Sequence, residues 1–328
     1  MMFNIDQTIK KILSLAVAKK SQALVKYQIE AGGKRIRPDL AILTCLAAGG
    51  RLKDALYPAA GLEILHNYTL IVDDIIDNGV LRRGKKTTWA NYGKSIAECI
   101  GADYAASIFQ AANRSNNPVK ISELFSRTLK EIVDGEIADI LFEQSGREEE
   151  PYVRKNRYFK ITEKDYFKMI DGKTASLIGA ACEAGGIAAK ANQKNINLLK
   201  NYGFNLGLAF QIQDDILDIF GQEKVFGKKV GKDIVERKLG NIVILSALKE
   251  FNAADRIKFL KILEKREKKD SDIREAIRLI GKTNSRQRAD TLKENFIKKA
   301  QKILALLPQN KWSKALKNFA NFVIQREK

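Results

Sequence analysis

The chain has 328 residues, enough for a large core, and its hydrophobic fraction of 45% and charged fraction of 30% are those of an ordinary globular protein. It has three scattered cysteines and one histidine, which excludes a disulfide framework, a cysteine zinc site and a multi-histidine metal site. No apolar run reaches the roughly 18 residues of a membrane span. The N-terminal pattern predicts an amphipathic helix and not a signal peptide, so we expect a cytoplasmic protein without a transmembrane segment.

Helical periodicity dominates the chain, and strand signals are scarce. Helices are predicted over residues 5–30, 38–48, 54–78, 94–115, 119–144, 163–184 and 192–220. A glycine- and lysine-rich loop at 221–240 and several short amphipathic helices follow. Glycine pairs at 32–33, 49–50 and 185–186 are predicted to end three of the helices. We therefore predict an all-α fold, with one large domain over residues 1–328 whose helices surround a central cavity.

The predicted helix over 54–78 ends in an apolar stretch that carries Asp73, Asp74 and Asp77. Aspartate is rarely buried without a partner. On a helix, Asp73 and Asp77 share a face and lie roughly 6 Å apart, so their charges repel unless a cation lies between them. Oxygen ligands of this kind suit Mg²⁺, which typically takes one or two carboxylates together with substrate phosphates.

The same pattern recurs in the predicted helix over 192–220, with Asp214, Asp215 and Asp218 among aliphatic residues. A single Asp-Asp-x-x-Asp motif is explained well by a solvated helix face or a helix cap. Two copies, both in apolar surroundings, favour two helices that face each other across a metal–diphosphate site.

Clustered cations occur in four segments, at residues 32–38, 81–86, 171–174 and 226–233. Arginine and lysine bind phosphate through charge-assisted hydrogen bonds. None of the segments has the spacing of a P-loop. Their alternation with the two acidic motifs describes a site that holds two polyanions, one through metal and one directly through side chains.

Three motifs in this order resemble the trans-polyprenyl diphosphate synthases, a family that includes farnesyl and geranylgeranyl diphosphate synthases. They are Gly-Gly-Lys-Arg-Ile-Arg-Pro at 32–38, Asp-Asp-Ile-Ile-Asp at 73–77 followed by Arg-Arg-Gly, and Phe-Gln-x-x-Asp-Asp-x-x-Asp at 210–218. The resemblance runs from about Gly32 to about Lys238. It implies the isoprenoid synthase fold, a homodimer formed through the apolar helices between residues 94 and 144, and condensation of isopentenyl diphosphate with dimethylallyl, geranyl or farnesyl diphosphate.

The resemblance also implies roles for individual residues. The six aspartates would coordinate Mg²⁺ ions that bridge the allylic diphosphate. The pocket for isopentenyl diphosphate is implied at Lys34, Arg37, His66 and Arg83. The allylic side, where catalysis occurs, is implied at Arg82, Lys173, Thr174, Gln211 and Lys228. Lys238 matches a lysine that closes over the leaving diphosphate, although Arg237-Lys238-Leu239-Gly240 stands where the family has Gly-Lys-x-Thr. Alternatively, His66 is a polar residue that faces a groove and Gln211 is a hydrogen-bonded core residue.

The mechanism that the resemblance implies agrees with these residue types. Metal ions and cations neutralise the leaving diphosphate, and the allylic C–O bond ionises to a carbocation. The double bond of isopentenyl diphosphate attacks this cation, and the departing diphosphate takes the proton, so no protein base is needed. Apolar walls keep water from the cation.

Product length is predicted from the residues that precede the first acidic motif. Tyr68 lies five positions before Asp73, and the smaller Thr69 lies four before. A bulky residue five positions before the motif, with a smaller one four before, resembles the pattern of archaeal-type geranylgeranyl diphosphate synthases. We expect geranylgeranyl diphosphate, with farnesyl diphosphate as an intermediate or minor product; a farnesyl synthase or a synthase of products with twenty-five or more carbons is the alternative. Tyr68 could also be ordinary core packing, with Leu65 as the floor of the cavity.

Three other functions compete with this interpretation. A terpene cyclase shares the fold and the first motif, but usually has an Asn/Ser/Glu metal motif in place of the second. A regulatory subunit of a heteromeric synthase typically lacks one acidic motif. A nucleic-acid binder rests only on the formal net charge of +19. Because the basic residues after 250 alternate with acids at helical spacing, we expect solvated helix faces and no nucleic-acid partner.

Overall fold

The computed structural model describes residues 4–221 and 230–325, with side chains as far as Asn321. Nearly all regular structure in these ranges is helical, and the strands there are one two-residue pair. The prediction of an all-α fold is therefore confirmed. None of the helices in the described ranges has both the length and the apolar content needed to cross a bilayer.

The helices before the second acidic motif are α1 (Asp6–Leu13), α2 (Gln22–Glu30), α3 (Ile36–Ala47), α4 (Leu52–Ile76), α5 (Thr88–Tyr92), α6 (Lys94–Asn113), α7 (Pro118–Leu141), α8 (Pro151–Asn156), α9 (Glu163–Ile170) and α10 (Ser176–Ala188). Those from that motif onward are α11 (Gln193–Phe220), α12 (Lys232–Val235), α13 (Ile242–Glu250), α14 (Ala253–Glu264), α15 (Asp270–Ile280), α16 (Ser285–Ala305) and α17 (Lys311–Gln325). A 3₁₀ turn covers Lys19–Ser21 and a π-helical segment covers Asp171–Ala175. The strands are β1 (Leu81–Arg82) and β2 (Lys85–Lys86).

The described chain forms two compact units. The first contains the described residues up to Leu129, together with Leu177–Gly203 and Ile303–Lys317. Within it, α4 packs against α1, α3 and α6. The middle of α4 is buried around its whole circumference, as expected for a helix inside a unit and not at its surface.

The second unit contains Lys130–Ser176, the described part of Phe204–Lys302, and the described residues from Asn318 onward. Its core is a continuous apolar cluster contributed by α9, α11 and α13–α16, with Phe142 and Ile234 included. Each unit is built from several separate stretches of sequence, so neither corresponds to a successive half of the chain. The prediction of a single domain over 1–328 stays a prediction.

Two predicted helix boundaries are wrong. The helix predicted over 5–30 is interrupted, because Ala16 has a left-handed backbone with φ of 59°, and α1 and α2 result. The helix predicted to stop at Gly185-Gly186 continues to Ala188. A side chain at Gly185 would collide with Oγ1 of Thr44 and the carbonyl of Ala41 on α3. Gly185 therefore serves close helix packing and not helix termination.

Candidate active site

Strands β1 and β2 form a hairpin directly after the first acidic motif, where the sequence indicated only a turn. Leu81 pairs with Lys86 and Arg82 with Lys85. The two connecting residues, Arg83 and Gly84, have φ of 54° and 75°. Positive φ at both central positions defines a type I′ turn, the connection that matches the twist of a two-residue hairpin. The Arg-Arg-Gly motif thus encodes the turn as well as the charge.

The hairpin is tied to the loop that follows α2. Lys85 Nζ donates to the carbonyl of Glu30 at 3.0 Å, and the hydroxyl of Tyr27 donates to the carbonyl of Lys86 at 2.8 Å. Arg83 donates through Nη1 to the carbonyl of Gly32. The neighbouring Gly33 has no side chain, which leaves room for the Arg83 guanidinium. Two predicted phosphate-binding segments, 32–38 and 81–86, are therefore held side by side.

We define the cationic pocket as His66 on α4 together with the arginines whose charges act on it, Arg35, Arg37, Arg82 and Arg83. Burial lowers the pKa of the His66 imidazole well below the usual range, and the charges of Arg37, Arg83, Arg82 and Arg35 lower it further. The structure thus brings together three of the four residues predicted for the isopentenyl diphosphate pocket: Arg37, His66 and Arg83. The fourth, Lys34, lies exposed on the loop between α2 and α3.

Arg35, which sequence analysis gave no role, anchors this loop. Its guanidinium is buried and donates to Glu63 Oε1 at 2.8 Å and to Asp6 Oδ1 at 2.9 Å. It also donates to the carbonyls of Ile29 at 3.1 Å and Gly32 at 3.2 Å. Glu63 was the missed signal, because a glutamate in an apolar helical stretch requires a buried cationic partner.

In the first acidic motif the middle aspartate differs from the outer two. Asp74 is buried and accepts from Arg82 Nε at 2.9 Å and Arg82 Nη2 at 2.8 Å. Asp73 and Asp77 are half-buried at the C-terminal end of α4, where the amide of Asp77 donates to the carbonyl of Asp73 at 2.8 Å. This bond continues the helical turn and keeps the outer two aspartates on one face.

One turn before the motif, Tyr68 is half-buried and its ring lies against α6. A Cβ atom placed on Gly101 of α6 would be 3.7 Å from Cε2 of Tyr68, an ordinary van der Waals distance. Thr69 donates its hydroxyl to the carbonyl of His66 at 2.8 Å and so remains within its own helix. Of the two predicted chain-length residues, Tyr68 is the one that extends toward a neighbouring helix.

In the second unit, the middle aspartate of the second motif is also bound by protein donors. Asp215 is buried and accepts from the Tyr166 hydroxyl at 2.8 Å, from Gln211 Nε2 at 3.0 Å and from the amide of Ile242 at 2.9 Å. Burial raises the pKa of Asp215 well above its usual range, and the charge of Asp233 adds to the effect. Tyr166 was missed because 49 positions separate it from Asp215.

A hydrogen-bonded chain links the predicted allylic residues. The hydroxyl of Thr174 donates to Oε1 of Gln211 at 2.7 Å, and Gln211 in turn donates to Asp215. The structure therefore brings Thr174, Gln211 and Asp215 together. Gln211 joins two candidate site residues, a hydrogen-bonded role that is compatible with both interpretations made from the sequence.

Lys173 and Thr174 are presented by the π-helical segment, an irregularity that the sequence analysis did not predict. Its wider turn is a feature often found at functional sites. Two glycines allow it to pack against α7, because a side chain on Gly135 would collide with the amide of Lys173 and one on Gly172 would collide with the carbonyl of Glu131. The backbone of Lys173 is thereby held directly against α7.

Asp139 on α7 joins Lys173 to Lys238. Lys173 Nζ lies 2.6 Å from Asp139 Oδ2 and 2.7 Å from Glu136 Oε2. Lys238 is buried, and its Nζ lies 3.1 Å from the same Asp139 oxygen and 3.3 Å from Glu236. Although burial opposes ionisation, the two lysines lower the pKa of Asp139 below its usual range. The altered motif around Lys238 therefore still places an ammonium group beside Lys173.

The last aspartate of the second motif, Asp218, binds the start of α12. It accepts from the amides of Lys232 at 2.9 Å and Asp233 at 3.2 Å. Burial and the charge of Asp233 raise its pKa to about 8. Asp214 is half-buried on the same helix. Lys228 lies outside the described residues.

The aspartates form an all-oxygen donor set, which suits a hard divalent cation. Within residues 4–221 and 230–325, no three carboxylate, histidine or cysteine side chains are already gathered closely enough to hold one metal ion. Magnesium usually completes its coordination with substrate phosphate and water, so few protein ligands are required. Asp74, Asp215 and Asp218 accept hydrogen bonds from protein donors as well, so a metal ion bound there would share their oxygens with those donors.

Comparison with known proteins shows which family this chain belongs to. A family model described as polyprenyl synthetase matches residues 18–280. The chain belongs to the polyprenyl synthetase family. The geranylgeranyl diphosphate synthase of Saccharolobus solfataricus is 37% identical to this polyprenyl synthetase over 306 residues, which are 91% of this chain and 88% of the relative.

Solved structures agree. Geranylgeranyl pyrophosphate synthetase from Pyrococcus horikoshii matches with a TM-score of 0.87 at 33% identity, over 98% of this chain and 95% of that chain. A polyprenyl synthase from Caulobacter crescentus, solved in complex with calcium and isoprenyl diphosphate, matches with a TM-score of 0.88 at 29% identity, over 99% and 94% of the two chains. The family and the isoprenoid synthase fold predicted from the sequence are thereby confirmed.

Proposed function

We propose that this polyprenyl synthetase condenses isopentenyl diphosphate with allylic diphosphates and releases geranylgeranyl diphosphate, with farnesyl diphosphate as an intermediate. The observation that carries the proposal is the cationic pocket, where the 81–86 hairpin is held against the loop after α2 by bonds from Lys85 to the Glu30 carbonyl and from Arg83 to the Gly32 carbonyl. Burial and the arginines of these two segments lower the pKa of the His66 imidazole. Such a pocket binds a diphosphate through bidentate arginine contacts without requiring a metal.

We assign the second substrate, the allylic diphosphate, to the acidic motifs and to Lys173, Thr174, Gln211, Lys228 and Lys238. Mg²⁺ held by the six aspartates of the two acidic motifs would neutralise the leaving diphosphate as a Lewis acid. Arg82 orients Asp74 through its two-nitrogen contact. Asp139 keeps the ammonium groups of Lys173 and Lys238 together, where both can receive the charge that develops on the departing oxygen.

The carboxylates of the two acidic motifs are assigned to metal binding and the cations of the site to diphosphate binding, so none of these groups is assigned the role of a general base. His66 is neutral, but it lies among arginines that bind the diphosphate end of the acceptor. The proton released on condensation is therefore assigned to the departing diphosphate. What the chain supplies is orientation of two substrates and exclusion of water.

We further propose a homodimer in the cytoplasm. Support for the dimer comes from exposed apolar residues on α6 and α7, namely Ile96, Phe109, Val119, Val133 and Ile137. Large apolar side chains exposed on a helix are typical of protein interfaces. Support for the location comes from the cysteines, because Cys45, Cys99 and Cys182 are all free thiols, as in a reducing compartment. Sedimentation velocity at micromolar concentration tests the dimer; a monomer would contradict it.

The test of the activity is incubation with isopentenyl diphosphate, Mg²⁺ and each allylic primer in turn, with the product length read by mass spectrometry. We expect a twenty-carbon diphosphate, and no cyclic hydrocarbon. Chelation by EDTA, Asp73→Ala and Asp214→Ala should each reduce turnover by several orders of magnitude, because each removes stabilisation of the leaving group. Near-normal turnover under any of these three conditions would contradict the metal assignment, and a cyclised product would indicate a terpene cyclase.

A further inference from the structure

Three aromatic side chains are exposed on α8 and on the segment that joins α8 to α9. Phe159 is 85% exposed, Tyr152 is 67% exposed and Tyr158 is 40% exposed. Phe159 is the most exposed large apolar residue in the described part of the chain. Isolated exposed apolar residues are common, but three aromatics within eight positions form a patch that requires an explanation.

The same segment is strongly basic. Residues 151–162 contain Arg154, Lys155, Arg157 and Lys160 and no acidic residue. We define the aromatic–basic patch as Tyr152, Tyr158 and Phe159 together with the exposed Arg154, Lys155 and Lys160. Two of the acids that precede it are engaged locally, since Glu150 pairs with Arg147 at 3.1 Å and Glu148 accepts from the amide of Gly146 at 2.8 Å.

The aromatic–basic patch has a fixed base. Val153 and Ile161 are buried beneath it. The Tyr158 amide donates to the carbonyl of Leu141 at 3.0 Å, and the Tyr158 ring meets Phe142 edge to face at 5.2 Å between centroids. The segment is therefore anchored in the core of its unit, and its exposed aromatics are presented in a set arrangement.

A second group of cations adjoins the patch around Gly146. Arg157 donates to the Gly146 carbonyl, and Arg237 Nη1 lies 3.0 Å from the position that a Gly146 Cβ would occupy. Arg237 also donates to the carbonyl of Arg266 at 2.7 Å, near Lys268. Burial lowers the pKa of Lys268 to about 8, and the charge of Arg237 adds to the effect. An anion placed against these cations would relieve their mutual repulsion.

We propose that the aromatic–basic patch docks on the surface of an anionic phospholipid bilayer. Tyr152 and Tyr158 each have an apolar ring and a polar hydroxyl, a combination that favours the headgroup level of a membrane, and the apolar ring of Phe159 favours the boundary between headgroups and acyl chains. Basic residues near an anionic surface add electrostatic attraction. A face with this charge would repel a second copy of itself, so a bilayer fits it better than self-association. The binding does not depend on the proposed activity.

The test is sedimentation of the full chain with vesicles of phosphatidylcholine alone or mixed with phosphatidylglycerol. We expect binding only to the anionic vesicles, and we expect it to weaken when salt rises from about 0.1 M to about 1 M. Tyr152→Ser with Phe159→Ser should weaken binding by about tenfold or more. Leu306→Ser is the matched control, because Leu306 is 69% exposed on another part of the chain, and it should bind as the unmodified chain does.

The charge arm uses Lys155→Glu with Lys160→Glu, which should abolish the preference for phosphatidylglycerol. Lys120→Glu with Lys194→Glu makes the same change in net charge at exposed positions elsewhere and should preserve the preference. Helical circular dichroism shows that each variant is folded. Equal binding to both kinds of vesicle, no binding to either, or equal losses in test and control variants would overturn the proposal. Dissociation of an oligomer by Phe159→Ser, measured by sedimentation velocity, would also overturn the proposal, because the patch would then be a protein interface.

Discussion

The buried pair of Arg35 and Glu63 makes a quantitative prediction. Their side chains are 1% and 2% exposed, so removing either partner leaves the other charge in a medium of low polarity. Such losses cost about 3–5 kcal/mol. Glu63→Gln should lower the free energy of unfolding by about 3 kcal/mol, the lower end of this range, since Asp6 continues to neutralise Arg35. Arg35→Met should cost more, because Glu63 would retain only Asn67 Nδ2 at 3.1 Å as a side-chain donor.

The assay is urea unfolding of the protein without ligands. Free energies of the variants can be compared when the slope of the unfolding free energy against urea concentration is the same for each variant. The double variant Arg35→Met with Glu63→Leu removes both charges, so it should recover about 2 kcal/mol or more relative to the sum of the single costs. Since Arg35 anchors the loop that carries Lys34 and leads into the first turn of α3, where Arg37 lies, the KM for isopentenyl diphosphate should rise by about tenfold. Single costs below about 1 kcal/mol, or costs that simply add in the double variant, would show that the two charges do not depend on each other.

Three further predictions concern the site. Tyr68→Ala should shift the product to twenty-five carbons or more by mass spectrometry, whereas Tyr68→Phe should preserve it; an unchanged distribution in folded Tyr68→Ala would place the limiting residue elsewhere. Because the pKa of His66 is depressed, the single imidazole NMR signal should stay in its neutral form between about pH 7.5 and about pH 5.5. In the unfolded chain the imidazole becomes protonated below about pH 6.5, so the free energy of unfolding should fall as the pH is lowered from about 6.5. A His66 signal in the folded protein that titrates near pH 6.5 would contradict its burial among the arginines. Asp139→Asn should lower kcat by about tenfold or more, with partial rescue by Asp139→Glu, because two ammonium groups lose their shared partner; an unaltered kcat would assign Asp139 to stability alone.

The sequence predicted the helices well because helical periodicity depends on local spacing. Most predicted long helices occur within a few residues of their expected bounds. The glycine signal was ambiguous, however. At Gly84 the glycine permits a left-handed turn, whereas at Gly185 it permits contact with another helix, and only the neighbouring structure distinguishes the two.

The partners of the site residues were harder to predict. The pairs Arg35–Glu63 and Tyr166–Asp215 join residues 28 and 49 positions apart. Periodicity indicates that a residue is buried but not which distant group satisfies it. For the same reason the sequence treated the three aspartates of each motif alike. The structure distinguishes the middle aspartates Asp74 and Asp215, which are buried, from Asp73 and Asp77, which are half-buried.

The π-helical segment has a consequence for how insertions and deletions would be tolerated. A residue in an α-helix turns the chain by about 100°, and the segment Asp171–Ala175 accommodates one residue more than a regular turn would. Deleting Gly172 would restore a regular turn and keep α9 in register, so Tyr166 would still reach Asp215. Deleting a residue from the regular part of α9 after Tyr166 would instead rotate Tyr166 by about 100° and turn its hydroxyl away from Asp215, even though every residue of both motifs remained. A family member with a one-residue gap in the π-helical segment would therefore keep the same donor for its middle aspartate, whereas a gap within α9 would require a different one.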